Sequence, residues 1–157
     1  MATAAPNPTL TELEPWVRFL HAHSTVVGEL STELVAEHGL TINDYEVLLR
    51  LSRADGRRMR RVDIAQEVLL SPSGITRLLE GLEKSGYVER QTCESDLRVV
   101  YACLTDEGMR KLREAGKTHR AGIARVFLDR YDEDERAVLA ELLGRLSAAG
   151  DEPCTPE

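Results

Sequence analysis

One stretch of the chain, 71-SPSGITRLLEGLEKSGYVER-90, constrains the fold more than any other. Ser71 is a favourable N-cap, and Pro72 suits the first helical position, where a missing N–H costs nothing. The apolar residues that follow recur at steps of three and four and predict the buried side of a helix: Ile75, Leu78, Leu79 and Leu82. Gly86 ends this helix, and Val88–Gln91 has the composition of a strand. A core does not need the polar side chains of the first turns, so we expect that face to bind a partner outside the chain.

Two shorter helices are predicted before this stretch. Thr41 caps the first of them, with Asp44 three residues later in a capping box, and the helical pattern breaks at the turn Ala54-Asp55-Gly56. The second covers Val62–Leu69. Its inward side is predicted to consist of Val62, Ala65 and Leu69.

A second strand, Val99–Leu104, is predicted to pair with the first across a polar tip, Thr92–Arg98. Three short helices followed by a two-stranded hairpin make a winged helix-turn-helix, which we assign to residues 41–104. The predicted fold class is therefore mainly α with a small β-hairpin wing.

Long helical patterns flank this unit, over Thr11–His38, Asp106–Arg130 and Glu133–Ala148. Thr11 and Glu14 have the spacing of a capping box at the start of the first helix, and Thr105 is predicted to cap the second. The leucines of these helices exceed what a small core can bury, and a two-fold homodimer would cover the surplus. We therefore assign residues 11–38 with 105–149 to a helical dimerisation region within a single unit, 1–157, with loose tails at 1–9 and 150–157.

The polar start of the helix that follows Ser71 predicts contact with double-stranded DNA. In a helix-turn-helix the second helix enters the major groove with its N-terminal residues nearest the base edges. Short hydroxyls suit phosphate or base contacts, and an arginine suits guanine or the backbone. The predicted DNA-binding residues of this helix are Ser71, Ser73, Thr76 and Arg77.

Charged residues around the hairpin are predicted to hold the duplex beside that helix. Arg98, at the base of the tip, suits a narrow minor groove, and Asp96 is close enough to orient it. Arg90 is placed for a flanking phosphate contact. In the run 57-RRMRR-61, Arg57 and Arg60 are predicted phosphate contacts, although such a run on its own is more often a solvated turn.

The distribution of charge matters here more than the total. The chain has a net charge of −7, which alone argues against nucleic acid. Residues 57–98, however, carry a net charge of +1, so the remaining residues sum to −8. An acidic chain with a locally basic middle is compatible with docking one face onto phosphate.

Other classes of function have weaker support. The sequence has no Gly-rich phosphate loop, nucleophile elbow or His-Glu metal pair, so we do not expect an enzyme. A winged helix that binds another protein as an adaptor remains an alternative. The absence of a long apolar run and of a signal peptide favours the cytoplasm and no membrane contact.

Neither metal nor disulfide chemistry is indicated. His21 and His23 are two residues apart and point in nearly opposite directions on a helix, so we expect no shared metal. The cysteines have no metal-type spacing and are predicted to be free thiols. A redox role for Cys93 or Cys103 stays open.

Three motifs in this sequence, 73-SGITRLLEGLEKSGYVER-90, Asp96-x-Arg98 and 104-LTDEG-108, resemble the MarR (multiple antibiotic resistance regulator) family of bacterial transcription factors. The resemblance is strongest from Gly39 to Leu112. It implies a homodimeric regulator, commonly a repressor, that binds a near-palindromic operator. Ser71–Ser85 would be the recognition helix and Val88–Leu104 the wing. The chain departs from the family pattern at Gly81, where many members have arginine, and at Leu97, which replaces a frequent basic residue.

The resemblance also implies that a small phenolic or other aromatic ligand can release the DNA by binding between the dimerisation helices and the DNA-binding part. No cofactor is implied. In this chain such a ligand would be held between the first two helices, with His23 and Tyr45 as its polar contacts. The alternative is that the same side chains only fill the core or the dimer seam. The candidate ligand residues are Trp16, Phe19, Leu20, His23, Tyr45 and Leu49.

Overall fold

The computed structural model describes residues 7–68, 71–92 and 99–146. In these ranges the helices and strands follow in the order α1 (Glu14–His38), α2 (Ile42–Arg53), β1 (Arg58–Arg60), α3 (Arg61–Glu67), α4 (Pro72–Lys84), β2 (Val88–Thr92), β3 (Val100–Leu104), α5 (Asp106–Val126) and α6 (Glu133–Gly144). This arrangement confirms the predicted winged helix-turn-helix with long flanking helices. None of the described helices is long and apolar enough to cross a membrane.

The two strands of the wing, β2 and β3, belong to an antiparallel sheet in the order β1-β3-β2. β2 and β3 pair with Val88 opposite Leu104 and Arg90 opposite Ala102. β1 adds a third strand that the sequence analysis did not predict, with Arg60 opposite Tyr101. Its three residues, Arg-Met-Arg, are too few and too polar to show a strand pattern, and they are extended because β3 offers an edge for pairing.

Residues 41–104, the part predicted to bind DNA, are called the DNA-binding lobe, and their core forms where α2, α3 and α4 pack against the sheet. The predicted inward stripe of α4 is confirmed, because Ile75, Leu79 and Leu82 are buried and Leu78 is partly buried. A central set of buried residues completes this core: Val47, Leu48, Leu51, Ile64, Val68, Val88, Ala102 and Leu104.

The predicted orientation of α3 was wrong in part. Val62 is 58% exposed, and Ile64 and Val68, four residues apart on one face, are buried instead. Ala65 is partly buried against the core, as predicted, and Leu69 lies outside the described residues. A helix of seven residues has fewer than two turns, too few to fix which side faces inward from periodicity alone.

Three of the predicted helix caps are confirmed. The Thr41 hydroxyl accepts a hydrogen bond from the Asp44 N–H (3.2 Å), and the Asp44 carboxylate accepts one from the Thr41 N–H (2.8 Å). The Ser71 hydroxyl accepts from the Gly74 N–H at 3.1 Å. The Thr105 hydroxyl likewise caps α5, because it accepts a hydrogen bond from the Gly108 N–H.

The predicted cap of α1 was wrong. Its N-cap is Leu13, which makes no side-chain cap, and Thr9 and Glu12 instead exchange hydrogen bonds in the preceding turn. The reason is Pro15. A cap at Thr11 would have placed this proline beyond the first turn, where its N–H is needed for the helical ladder, whereas a start at Glu14 keeps it in the first turn.

α1 ends at His38, as predicted, whereas α5 and α6 end earlier than predicted. α5 stops at Val126, because Phe127 has φ −126° and ψ −62° and the chain passes into a short 3-10 turn at Leu128–Arg130. α6 stops at Gly144 rather than Ala148. The predicted tails fall outside the described residues except for positions 7–9.

α1 and α5 pack closely through a glycine. A Cβ on Gly122 would lie 2.7 Å from Leu30 Cδ2 and 2.6 Å from Glu33 Oε2, so these two side chains would have to move to admit a larger residue. On the same helix, Leu112 and Ala115 are buried in the core of the single chain.

Candidate nucleic-acid interface

α4 has two unlike sides. Its apolar side is buried, while Ser71, Ser73 and Arg77 are exposed and Thr76 is half-buried. Arg77 makes no hydrogen bond or ion pair within residues 7–68, 71–92 and 99–146. Its guanidinium is therefore available to a ligand outside the chain.

The two serines at the start of α4 lie together. Their hydroxyl oxygens are 3.2 Å apart. The Ser71 hydroxyl also caps the helix through the Gly74 N–H. Ser73 does not cap the helix, so its hydroxyl is the better placed of the two to contact a nucleic acid.

Arg60 and Arg90, two of the three arginines predicted to contact phosphate, both have carboxylate partners. Arg90 donates to Glu83 at 2.7 Å. Arg60 donates through two nitrogens to the two oxygens of Asp63, at 2.8 and 2.9 Å. In each case the hydrogen bond, and then the negative charge, of the carboxylate raises the pKa of the guanidinium above its ordinary value. A phosphate that bound either arginine would therefore have to compete with its carboxylate partner.

Arg57 lies at the other end of the sheet. Its Nη1 is 3.1 Å from the carboxylate of Asp106, at the first turn of α5. Its neighbour Arg58 lies over the ring of Tyr101, with 5.0 Å between the guanidinium carbon and the ring centroid. Asp96 and Arg98, the predicted minor-groove contacts, lie outside the described residues, as does Cys93.

A groove between α4 and the wing brings several of the predicted residues together. It has a volume of about 270 Å³ and lies among the start of α3, one side of α4 and strand β3. Of the predicted contacts, Arg60, Thr76 and Arg90 line it, whereas the lining does not include Ser71, Ser73, Arg77 or Arg57. The complete lining is Arg60, Arg61, Val62, Thr76, Leu79, Glu83, Arg90, Val99, Val100, Tyr101 and Ala102. We call it the wing groove.

Arg61 also lines the wing groove, although it is not among the residues predicted to bind DNA. Its Nη1 lies 3.4 Å from the Thr76 hydroxyl oxygen, so it connects α3 to the polar side of α4. The only signal in the sequence was its membership of the 57-RRMRR-61 run, which did not distinguish one arginine from another.

A larger open cleft, of about 770 Å³, lies between α2 and α5. Tyr45 and Leu49 line it, as the ligand hypothesis requires. Within one chain, however, the other four candidate ligand residues are exposed on the N-terminal half of α1 and do not line the cleft: Trp16, Phe19, Leu20 and His23. The rings of Trp16 and Phe19 are 6.1 Å apart and those of Phe19 and His23 are 6.3 Å apart, so these residues neighbour one another instead.

His119, which the sequence analysis did not select, takes the place of His23 beside Tyr45. The two ring centroids are 4.7 Å apart, and the buried His119 Nδ1 has no hydrogen-bond partner among the described residues. Burial lowers the pKa of His119 and raises the pKa of Tyr45. Both groups are therefore uncharged near neutral pH and suit an aromatic ligand.

Apolar side chains remain exposed at both ends of the chain. On α1 they occupy the first half of the helix, and on α6 they form a stripe that runs past its end. The larger of these side chains are Trp16, Val17, Phe19, Leu20, Val138, Leu142, Leu143 and Leu146.

The described residues contain no group of His, Cys, Asp and Glu arranged to hold a metal ion. Cys103, the one cysteine within them, is a free thiol on β3, and burial raises its pKa.

A winged helix with a polar, arginine-bearing recognition helix and a basic groove beside its wing defines a class of DNA-binding proteins. Comparison with known proteins specifies the family. A family model described as transcriptional regulator SarA/Rot matches residues 29–115. The chain belongs to the MarR family of transcriptional regulators.

Individual relatives support this assignment. AbsC of Streptomyces coelicolor, a MarR family transcriptional regulator, is 32% identical; the match covers 90% of this chain and 95% of that one, with a TM-score of 0.80. Sco3205, a MarR family regulator of the same organism solved in complex with DNA, is 26% identical over 96% of this chain and 95% of its own, with a TM-score of 0.84. The transcriptional repressor YetL of Bacillus subtilis is 29% identical over 71% of this chain and 66% of its own.

Proposed function

We propose that this regulator acts as a homodimer that binds a near-palindromic DNA operator and represses transcription there. The observation that carries the proposal is the exposed side of α4. Arg77 has no internal partner there among the described residues, while the opposite side of the helix is buried. A side chain that the fold does not use can contact base edges without breaking an existing pair. The DNA complex of Sco3205 and the repressor YetL support the assignment.

The exposed apolar residues of α1 and α6 support the homodimer. Both sets belong to helices that the DNA-binding lobe does not cover. In a two-fold dimer each subunit would offer the same patch to its partner. Such pairing would also present two α4 helices to one duplex, and the operator would then repeat the symmetry of the protein.

This function can be tested by selecting bound duplexes from a random DNA pool and then titrating salt against the complex with the most enriched duplex. We expect an enriched inverted repeat whose affinity falls steeply with added salt, because each phosphate contact releases counterions. Failure to enrich any duplex would reject the proposal and favour a winged-helix adaptor that binds protein.

Arg77→Ala tests the assignment of α4 in the same assay. We expect it to weaken binding and to change which sequence is preferred, because an arginine in the major groove reads guanine. Arg110→Ala, which removes an exposed arginine from α5, is the matched control. If Arg77→Ala weakened all sequences equally, Arg77 would be a backbone contact only.

We further propose that a small aromatic compound with an acidic group binds the cleft between α2 and α5 and releases the DNA. The unpartnered His119 Nδ1 beside Tyr45 supplies a polar contact in a partly apolar cleft. Arg50, Arg53 and Arg120 also line the cleft and favour a negative ligand.

A panel of substituted benzoates and phenols, titrated against the protein–operator complex, tests this second proposal. We expect an acid of the panel to release the operator from the wild-type protein. Tyr45→Phe should reduce the potency of that acid without changing DNA affinity in its absence. If no compound displaced DNA, or if displacement were unchanged in His119→Phe and Tyr45→Phe, the cleft would not be the effector site.

A further inference from the structure

The wing groove contains three arginines whose charges are not equally available. Arg60 is held by Asp63 and Arg90 by Glu83, each at hydrogen-bond distance. Arg61 makes no ion pair within the described residues, and its hydrogen-bond partner there is the neutral hydroxyl of Thr76. Arg61 therefore contributes an uncompensated positive charge to the groove.

The position of the groove indicates what that charge meets. A duplex that receives α4 in its major groove and the wing in the neighbouring minor groove must pass one sugar–phosphate strand between the two, because that strand separates the grooves. The wing groove lies between α4, which supplies Thr76, and β3, which supplies Val100. The strand that crosses there carries one phosphate every few ångströms, so a phosphate necessarily comes close to the groove.

We propose that the wing groove binds one DNA backbone phosphate per subunit, and that Arg61 is the residue that holds it. Thr76 supports this contact from α4, since its hydroxyl oxygen already lies 3.4 Å from the Arg61 guanidinium. The inference rests on the proposed function, because it requires that α4 and the wing engage adjacent grooves. It adds a DNA contact that the sequence analysis did not select.

Glu83 limits the site to one phosphate. Its carboxylate lines the same groove as Arg61 and is largely covered, with its charge directed to Arg90. A second phosphate beside it would meet a negative charge at close range. The uncompensated charge of Arg61 therefore lies at the α3 end of the groove, and the neutralised pair of Glu83 and Arg90 lies at the β2 end.

The test compares Arg61→Gln, Arg61→Lys and the control Arg110→Gln on the selected operator over a range of salt concentrations. Arg61 is exposed, so melting temperatures should stay close to wild type. We expect Arg61→Gln to lose about tenfold or more in affinity at low salt, and its log–log salt slope to become shallower by about 2, roughly 0.9 for each of the two lost contacts. Arg61→Lys should retain most of the slope, and Arg110→Gln all of it.

Replacement of single phosphates by neutral methylphosphonates identifies the site on the DNA. One position in each half of the operator should weaken the wild-type protein and leave Arg61→Gln with no additional loss. If the wild-type protein bound the operator but Arg61→Gln kept its salt slope, or lost further affinity at every neutralised phosphate, the inference would be wrong and the proposed function would stand. If the wild-type protein bound no duplex, both the inference about Arg61 and the proposed function would be rejected.

Discussion

The DNA-binding lobe and the outer helices differ in how completely one chain buries them. In the lobe, Val47, Leu48, Leu51 and Ile64 are fully buried, and the amphipathic helices close around them. In α6, none of the residues Glu133–Gly144 is buried, although Leu142 and Leu143 lie on one of its sides. α1 has one buried part and one exposed part: Leu30 and Leu34 are buried, while the apolar residues of its first half are exposed.

This difference indicates that the stability of the two regions has different origins. The lobe has an apolar core that forms within one chain, so its stability should not depend on protein concentration. α6 lacks a buried face in the single chain, and an isolated helix of 12 residues is marginal in water. Its order should therefore depend on what covers Leu142 and its neighbours.

The largest expected effect comes from the lobe core. Leu48→Ala should lower the free energy of unfolding by about 2–5 kcal/mol, because it leaves a cavity in a packed interior. Leu142→Ala removes the same atoms from a side chain that is 47% exposed and should cost far less at low protein concentration. Urea denaturation of both variants measures the two losses, and equal losses would remove the distinction between the regions.

The next effect concerns the outer helices alone. Leu142→Lys should raise the dimer dissociation constant by about tenfold or more, since it introduces a charge into an apolar interface. Ala140→Lys is the matched control, because position 140 lies about 200° around the helix from position 142. Analytical ultracentrifugation separates the outcomes. Equal dissociation in both variants, or none in either, would show that this side of α6 is not the dimer interface.

A smaller effect is expected inside the lobe, at the wing groove. Glu83→Gln removes the carboxylate that holds Arg90 and should raise operator affinity a few-fold, because the guanidinium no longer has to leave a charged partner. Glu114→Gln makes the same change of charge on α5, where the carboxylate pairs with Arg110. Fluorescence anisotropy on labelled operator measures the difference. A gain of the same size in both variants would mean that total charge, rather than the Arg90 pair, is responsible.

The smallest expected effect lies where the two regions meet, at His119 on α5. Burial, followed by the positive charge of Arg120, lowers its pKa below the ordinary value of 6.5, and Glu46 and Glu33 oppose this. The unfolded chain therefore binds the proton more readily, and the free energy of unfolding should fall as the pH drops through 6.5.

His119→Phe keeps the ring against Tyr45 and removes the titrating group. The variant should lose the part of the pH dependence that comes from this residue, a contribution below about 1 kcal/mol because the ring is only half-buried and solvent screens its charge. Urea denaturation on both sides of pH 6.5 gives the comparison. An unchanged slope in His119→Phe would assign the pH dependence to other groups.

Local patterns predicted most of the fold. The caps at Thr41, Ser71 and Thr105 and the buried stripe of α4 depend on residues within a few positions of one another, and the sequence displays them directly. β1 and the inward side of α3 do not have this property. β1 exists because β3 lies beside it, and the orientation of α3 follows from where Ile64 meets the core.

The candidate site was harder to predict because its determinants are pairs distant in sequence. Arg57 pairs with Asp106, 49 residues away, and Arg61 reaches Thr76, 15 residues away. No spacing rule connects them. The same holds for His119, whose relation to Tyr45 follows from the packing of α5 on α2. Local sequence patterns select α4 as the helix predicted to face DNA, but they do not show which arginines already have internal partners.

The junction between α4 and α5 has a consequence for operator geometry. The Thr105 hydroxyl donates to the Gly86 carbonyl at 2.7 Å, just past the end of α4, while it caps α5. A Cβ on Gly108 would lie only 2.1 Å from the Tyr87 carbonyl oxygen, so α5 begins in direct contact with that turn. A rotation of α5 must therefore carry the end of α4 with it. In a paired molecule, the tilt of this long helix would determine the number of base pairs between the two sequences that the protein reads.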